Sequence, residues 1–544
     1  MSFITSFSLF ALLGAALYRL YRRLTRISIA HIPGPESSSF VLGNLSQLAQ
    51  GQAAEVELQW QAKFGDIVRI KGLFGEDRLL ISDPKALQYI FQTSGYNFPK
   101  QPERREISRI VSGKGILWAD GDIHKRHRKV MLPGFSGPEA KAYLPVFSAY
   151  AAKMGEKWKD IITSSKDQST IVDIPFWASR CALDAIGEVA FDYQFGALDD
   201  AENVLGKAFA NLLLDTFGTL TNGEIFSQNI IAYVPSPFRE LLGDHLPSTK
   251  LFHVRSTAKL ATGVAKELVD QKADAYLQGK GNRDILSLLV RANASENEKT
   301  KLNEEELLGV MRVVILAGHE TTANTLSWML LELARHPDIQ TKLRDEIASM
   351  QRTLQTRGDS NYTASDLDSM PYLNAVLKET LRFHPVAINA FRQAAKDDVL
   401  PLSNPITTAS GEVIHELPIP KGVRIISSIH GYNRKKEVFG EDAHVFNPER
   451  WLNSRVIKST SVGVLGNLMS FSGGVRSCIG WKFAVVELQA FLFELVGGIE
   501  FLPTPASQKV RREAALVMVP TIEGQVEKGS QLPLRIRVAS KGEF

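Results

Sequence analysis

Between Asn303 and His336 one helical register runs without a break, with Val310, Val313, Val314, Ala317, Leu326 and Leu330 on its apolar positions. Asn303 followed by Glu306 reads as a capping box, and His336-Pro337 reads as a stop. A helix of about 33 residues is roughly 50 Å long at 1.5 Å per residue, so it must cross the whole of its domain. Its middle reads Ala317-Gly318-His319-Glu320-Thr321-Thr322. A glycine inside a helix costs about 1 kcal/mol relative to alanine, so Gly318 needs a compensating reason.

The remainder of the chain can supply the core such a helix needs. Of 544 residues 44% are apolar and 22% charged, proportions of a globular protein that exclude disorder. Lys plus Arg is 63 and Asp plus Glu is 59, a net charge of +4. Arg19, Arg22, Arg23 and Arg26 account for that excess. The rest is balanced, which excludes a strongly basic nucleic-acid binder. Two cysteines, Cys181 and Cys478, exclude a disulfide scaffold or a Cys-rich zinc module and leave one bridge formally open. No repeat and no Pro/Ser-rich linker divides the chain. Strand-like runs are short: Ile67–Ile70, Arg78–Ile81, Val423–Ser428 and Leu534–Val538. The hydrophilic stretches Ala292–Asn303 and Gln351–Asp368 read as surface loops. Residues 31–544 are therefore expected to form one large, mostly α domain with small β-sheets.

The N-terminus reads as an anchor. From Ser2 to Tyr18 there is no charge, Phe7–Leu17 is almost wholly apolar, and the four arginines follow. Eighteen residues of helix span roughly 27 Å, close to the thickness of a hydrocarbon core. A cleavable signal carries its positive charges before the apolar run, whereas here they come after. Residues 1–30 are expected to be a transmembrane helix with a basic stop, or a helix lying in the interface. The positive-inside rule leaves the bulk of the protein cytosolic, and in either case the chain is membrane-bound. His31-Ile32-Pro33-Gly34-Pro35 then acts as a stiff hinge.

Motifs that carry chemistry are few. The chain has no GxGxxG, no GxxxxGK[ST] and no GxSxG, and His319-Glu320 lacks a second zinc-binding histidine because position 323 is alanine. The informative segment is Phe471-Ser-Gly-Gly-Val-Arg-Ser-Cys-Ile-Gly480, followed by an apolar helix from Trp481 to Leu495. A cysteine just before a helix N-terminus meets backbone N–H groups and the positive end of the dipole, and both favour a thiolate. Arg476 is placed beside it to meet an anion. The pattern suits a metal-ligating thiolate with an acidic cofactor above it, although a glycine-rich loop around an inert cysteine has the same spacing.

This segment resembles the haem-binding loop of the cytochrome P450 family, FxxGxRxCxG, with Phe471, Gly474, Arg476, Cys478 and Gly480 at the fixed positions. Other motifs follow in family order across roughly residues 33–525. Ala317–Thr322 is similar to [AG]-G-x-[DE]-T-[TS], and Glu379-Thr-Leu-Arg382 to ExxR, with Pro448-Glu-Arg450-Trp451 further on. Gly121–Arg128 is similar to a stretch where many relatives have WxxxR, but His124 replaces the tryptophan. The resemblance implies the cytochrome P450 fold and a haem b whose iron takes Cys478 as axial metal ligand. It implies Arg476, Arg128, His124 and Arg392 toward the haem propionates, with Phe471 and Gly474 shaping the loop. Glu320 and Thr321 would be the catalytic proton relay, Thr321 reaching back to the Ala317 carbonyl. Glu379, Arg382 and Arg450 would form a structural triad. The ExxR spacing alone says little, since Glu106…Arg109 and Glu332…Arg335 share it.

The activity so implied is monooxygenation: one oxygen atom of O2 enters a lipophilic organic substrate, with hydroxylation the usual outcome. Electrons would come from NADPH through a separate NADPH–cytochrome P450 reductase, because 544 residues leave no room for a fused flavin domain. The run Lys125, Arg126, Arg128 and Lys129 reads either as its docking face or as a solvated helix face. Pocket walls are expected before Ile116, around Phe217, and from Val313–Ala317, Val386–Ala390 and Val517–Val519. Their apolar character calls for a lipophilic ligand. The lipid bilayer, specifically the endoplasmic reticulum membrane, is the expected location. Two other classes remain: a P450-fold isomerase or dehydratase that needs no external electrons, and a haem protein that binds ligands without turnover. The intact Glu320-Thr321 pair speaks against both.

Overall fold

The computed structural model describes residues 27–278, 284–294, 301–452 and 460–539. Residues 1–26 of the expected anchor lie outside them. Among the described residues no helix is long and apolar enough to cross a membrane.

The architecture is mostly helical with small sheets. The helices that frame the site are α1 (Pro102–Ser112), α2 (Gly121–Met131), α3 (Leu144–Thr163), α4 (Ile174–Phe191), α5 (Thr249–Leu277), α6 (Glu304–Arg335), α7 (Pro337–Arg357), α8 (Pro371–Phe383) and α9 (Trp481–Gly498). The main sheet contains β1 (Ile67–Lys71), β2 (Asp77–Ile81), β3 (Asn389–Gln393) and β4 (Arg424–Ser428), in the order β1-β2-β4-β3. Only the β2–β4 pairing is parallel, with Arg78 opposite Arg424. A hairpin of β5 (Val510–Ala515) and β6 (Val517–Ile522) closes one side of the interior.

Helix α6 forms where the sequence reading puts it. Asn303 accepts from the Glu306 amide at 2.8 Å and Glu306 accepts from the Asn303 amide at 3.0 Å, a reciprocal capping box. From Val310 to Ala334 it is buried on nearly every side. Gly318 has its reason: a Cβ there would meet the Ile186 side chain of α4 at 2.6 Å. Trp328 ties the same helix to β6 by donating to the Met518 carbonyl at 3.1 Å. One hydrophobic cluster runs from Ile29 to Ile536 through α3, α4, α6, α8 and α9, while Trp60, Val68, Ile70, Leu80 and Ile426 form a small second core at the sheet.

Two readings need correction. Most of Gln351–Asp368 is not loop. Residues up to Arg357 complete α7, and Ala364–Asp368 is a further turn of helix, capped reciprocally by Thr363 and Asp366. Polar residues there mark a solvated helix face. Cys181 and Cys478 are both free thiols, so the formal bridge does not exist.

Candidate active site

A cavity of about 650 Å³ lies against the middle of α6. The expected walls line it: Ile116, Phe217, Val313, Ala317, Val386 and Val517, though not Val519. Most of the lining is apolar, with two polar regions, and Cys478 belongs to the first.

Cys478 stands just before α9. Its amide donates to the Phe471 carbonyl at 2.8 Å, closing the loop that carries it. The loop is pressed tightly onto the rest of the chain. A Cβ on Gly474, where φ is +63°, would fall 1.9 Å from the Phe91 carbonyl oxygen, so only glycine fits there. The sulfur opens into the cavity although it lies deep in the molecule. Burial raises the thiol above its usual range, against the opposing pull of the Gly480 amide and the Arg128 charge. The expected thiolate stabilisation by the helix end is therefore present but outweighed, and a metal would be needed to hold the anion.

On α6, Thr321 and Glu320 both line the cavity. The Thr321 hydroxyl donates to the Ala317 carbonyl at 2.7 Å, as its spacing requires. The Glu320 carboxylate accepts from Asn324 Nδ2 at 3.3 Å. Beside them Thr322 donates to Glu487 of α9 at 3.0 Å, and burial pushes that carboxyl up to about 8.

Around the Cys478 loop the cavity is strongly basic. Arg128 donates to the Ser477 carbonyl at 2.7 Å and its hydroxyl at 3.0 Å. Arg476 pairs with Asp120 and donates to the Gly95 carbonyl, while its Nε has no partner among the described residues. Arg392 lies over the Phe91 ring and, among the described residues, donates only to the neighbouring Phe391 carbonyl; burial and the Arg476 charge draw it down to about 10. Lys100 is drawn down to about 7 by burial, with Asp120 opposing. His124 is buried, shares a hydrogen bond with the Tyr96 hydroxyl at 3.1 Å, and is held at about 3 by burial and by Lys100, Arg476 and Arg128. It is neutral at physiological pH. Burial would raise the Asp120 carboxyl, but Arg476 and Lys100 hold it low.

Three guanidiniums, with Lys100 beside them, thus meet one carboxylate in a largely enclosed space, an imbalance that costs free energy until anions enter. The two propionates of a haem supply carboxylates of the right kind, and Cys478 supplies a soft ligand for its iron. The residues present fit that group. Phe471 lines the same space, and Gly474 lets its loop close.

The sequence reading missed Lys100 and Asp120. Asp120 caps α2 and accepts from the Lys100 amide at 2.9 Å, yet nothing local shows that Arg476 will reach it. The basic run of α2 does not form one open face. Arg126 pairs with Glu306, Arg128 turns inward, and Lys125 pairs with Asp122 at 2.8 Å.

Glu379, Arg382 and Arg450 are fully buried together. Arg382 pairs with Glu379 at 2.7 Å and donates to the carbonyls of Asn433, Ala443 and Val445. Arg450 lies 3.5 Å from Glu379 and also pairs with Asp442. Glu379 accepts further from the Asn447 amide at 2.7 Å and Trp451 Nε1 at 3.0 Å. Leu381, between Glu379 and Arg382 in α8, lines the cavity.

Comparison with known proteins agrees with this geometry. Residues 33–527 match the family model described as Cytochrome P450. Cytochrome P450 monooxygenase 205 of Postia placenta is 31% identical over 522 residues, covering 94% of this chain and 93% of the relative. Cytochrome P450 monooxygenase claQ of Ampulloclitocybe clavipes is 31% identical over 517 residues, covering 93% and 92%. Cytochrome P450 monooxygenase 91 of Postia placenta is 32% identical over 544 residues, covering 97% and 98%. With fold, site and near full-length similarity in agreement, this chain belongs to the cytochrome P450 family of haem-dependent monooxygenases.

Proposed function

We propose that the chain hydroxylates a lipophilic substrate by the overall reaction R–H + O2 + NADPH + H⁺ → R–OH + H2O + NADP⁺. The observation that carries this reading is a cavity-facing cysteine beside Arg128, Arg392, Arg476 and Lys100, a basic group for which Asp120 is the one carboxylate described. Haem, when bound, supplies the activation of molecular oxygen. Cys478 would hold its iron through the thiolate sulfur. Arg128, Arg392, Arg476 and Lys100 hold the propionates, while neutral His124 donates or accepts one hydrogen bond among them.

The apolar walls exclude water from the reacting carbon and position it. Thr321 and Glu320 pass protons into the cavity: the hydroxyl gives up its bond to Ala317 and hands a proton on, and Glu320 takes a proton from solvent and returns it to the hydroxyl oxygen. Electrons arrive from NADPH through a separate reductase. Lys125 and Lys129 are the exposed cations that α2 offers such a partner. Residues 1–30 anchor the protein in the endoplasmic reticulum membrane with its catalytic domain cytosolic; the apolar run Phe7–Leu17 followed by arginines supports this.

The test is the difference spectrum of the reduced, CO-bound protein, wild type beside Cys478→Ala. A red-shifted Soret band of thiolate ligation, lost in the variant, is the expected result. An imidazole-like band or no haem at all in the wild type overturns the assignment. NADPH consumption on adding reductase and substrate then separates monooxygenation from electron-free isomerisation and from ligand binding without turnover.

A further inference from the structure

The cavity wall carries a second basic group that plays no part in the scheme above. Arg104 of α1 lines the cavity with its guanidinium 3.7 Å from the centroid of the Phe391 ring. Among the described residues it makes no ion pair. The acid whose field reaches it, its chain neighbour Glu103, stands 3.7 Å from Arg424. Arg78 of β2 lines the cavity too. Its Nε donates to Glu76 at 3.0 Å and its Nη1 to Asn229 at 3.2 Å, but its buried Nη2 has no hydrogen-bond partner among the described residues. Burial, and then the Arg78 charge, draws the Arg104 guanidinium down to about 10.

These two arginines are separate from the Cys478 cluster. Phe391 and Arg392 are consecutive in β3, so their side chains leave opposite faces of the sheet. Arg392 lies over Phe91, whereas Phe391 carries Arg104 and packs on the small core of Trp60, Val68 and Ile426. Leu48, Leu220 and Ile225 of the cavity lining are apolar.

A guanidinium stacked on a ring keeps its edge donors free, and their fork matches a planar carboxylate. Arg78 and Arg424 already share Glu76, Glu103 stands by Arg424, and Glu57 of the lining lies in the field of Arg512, so a single cation is left uncompensated. One charge calls for a monoanion; a phosphate dianion exceeds it and a neutral hydrocarbon leaves it open. We propose that the substrate is a lipophilic carboxylic acid whose carboxylate is held by Arg104, with Arg78 Nη2 as a second donor. Its hydrocarbon part then extends along the apolar walls toward Cys478. This rests on the monooxygenase reading and narrows its substrate class.

The test is optical titration of the haem-loaded full chain with the straight-chain acids from octanoic to hexadecanoic and with their methyl esters. The tightest acid is expected to bind at least about tenfold more strongly than its ester, the effect of a charge-assisted hydrogen bond. In Arg104→Gln the ester-to-acid ratio of Kd falls to about one, and Arg104→Lys recovers part of it. Phe391→Leu, which removes the ring beneath the guanidinium, lowers the ratio independently if Arg104→Gln does not fold. Equal Kd for acid and ester, no acid bound at any length, or an unchanged ratio in the variants overturns the proposal. The CO-bound band of the same preparation separates the two failures. Its absence defeats the haem-thiolate reading, and its presence with equal Kd values defeats the carboxylate assignment alone.

Discussion

Two buried groups of cations in this molecule have nearly the same chemistry and opposite charge closure. In the knot behind α8, Arg382 and Arg450 meet Glu379 and Asp442, and the remaining donors of Arg382 end on backbone carbonyls. Beside Cys478, Lys100, Arg392 and Arg476 share Asp120, and Arg128 has only Ser477 and the Cys478 sulfur beside it. The first set joins chain segments and asks for nothing more. The second stays incomplete until a ligand brings negative charge. Burial and residue type do not distinguish a structural arginine from a ligand-binding one here, but charge balance does.

The largest effect is expected from breaking the closed set. Glu379→Ala leaves two buried guanidiniums without their shared anion, a loss of about 3–5 kcal/mol that approaches the whole stability of many domains. Thermal unfolding and soluble yield should both collapse. Thr321→Val changes neither cluster and isolates the chemistry. Removing that hydroxyl should lower product formed per NADPH by about tenfold to hundredfold while the CO-bound band stays intact. In the open set, Arg392→Met should leave the apo-protein as stable or more so, because a repelling charge is gone. Haem loss to a scavenger protein should nonetheless speed up about tenfold. If Arg392→Met unfolds the apo-protein, or Glu379→Ala spares it, the contrast fails.

The contrast extends to acids, where the effect within any one pH unit is smaller. Glu487 is buried like Glu379 but receives one hydroxyl and no cation, and burial pushes it up to about 8. An unfolded glutamate loses its proton near pH 4.3, so between that value and about 8 folding retains one proton that the unfolded chain releases. Stability contributed at this site therefore falls by about 1.4 kcal/mol per pH unit as pH rises through that window. Glu487→Gln should flatten that slope in denaturant titrations and stabilise the protein most at the alkaline end.

What could be read in the sequence was whatever is written locally. The register of α6, its Asn303–Glu306 cap and the Thr321–Ala317 bond all lie within one or two turns. The loop from Phe471 to Gly480 is equally contiguous. Lys100 and Asp120 were not legible, because their meaning depends on Arg476, and Asp120 meets it across 356 residues. The thiol of Cys478 was read from its helix end, whereas its burial is a property of the whole interior. The end of α7 was read as loop because its exposed face is polar. The role of Arg104 depends on Phe391, which β3 places beneath its guanidinium from far along the chain.

The partners that meet at the Cys478 loop also set a clock on biosynthesis. Arg476 reaches Gly95 across 381 residues, and Arg128 meets Ser477 across 349. At a ribosomal pace of about 5–20 residues per second, the first half of the site waits roughly 20–80 s for the second. Throughout that interval the nascent chain displays Lys100 and Arg128 without the segment that carries the thiol. The two halves of the cavity's basic end can meet only as the last part of the chain emerges.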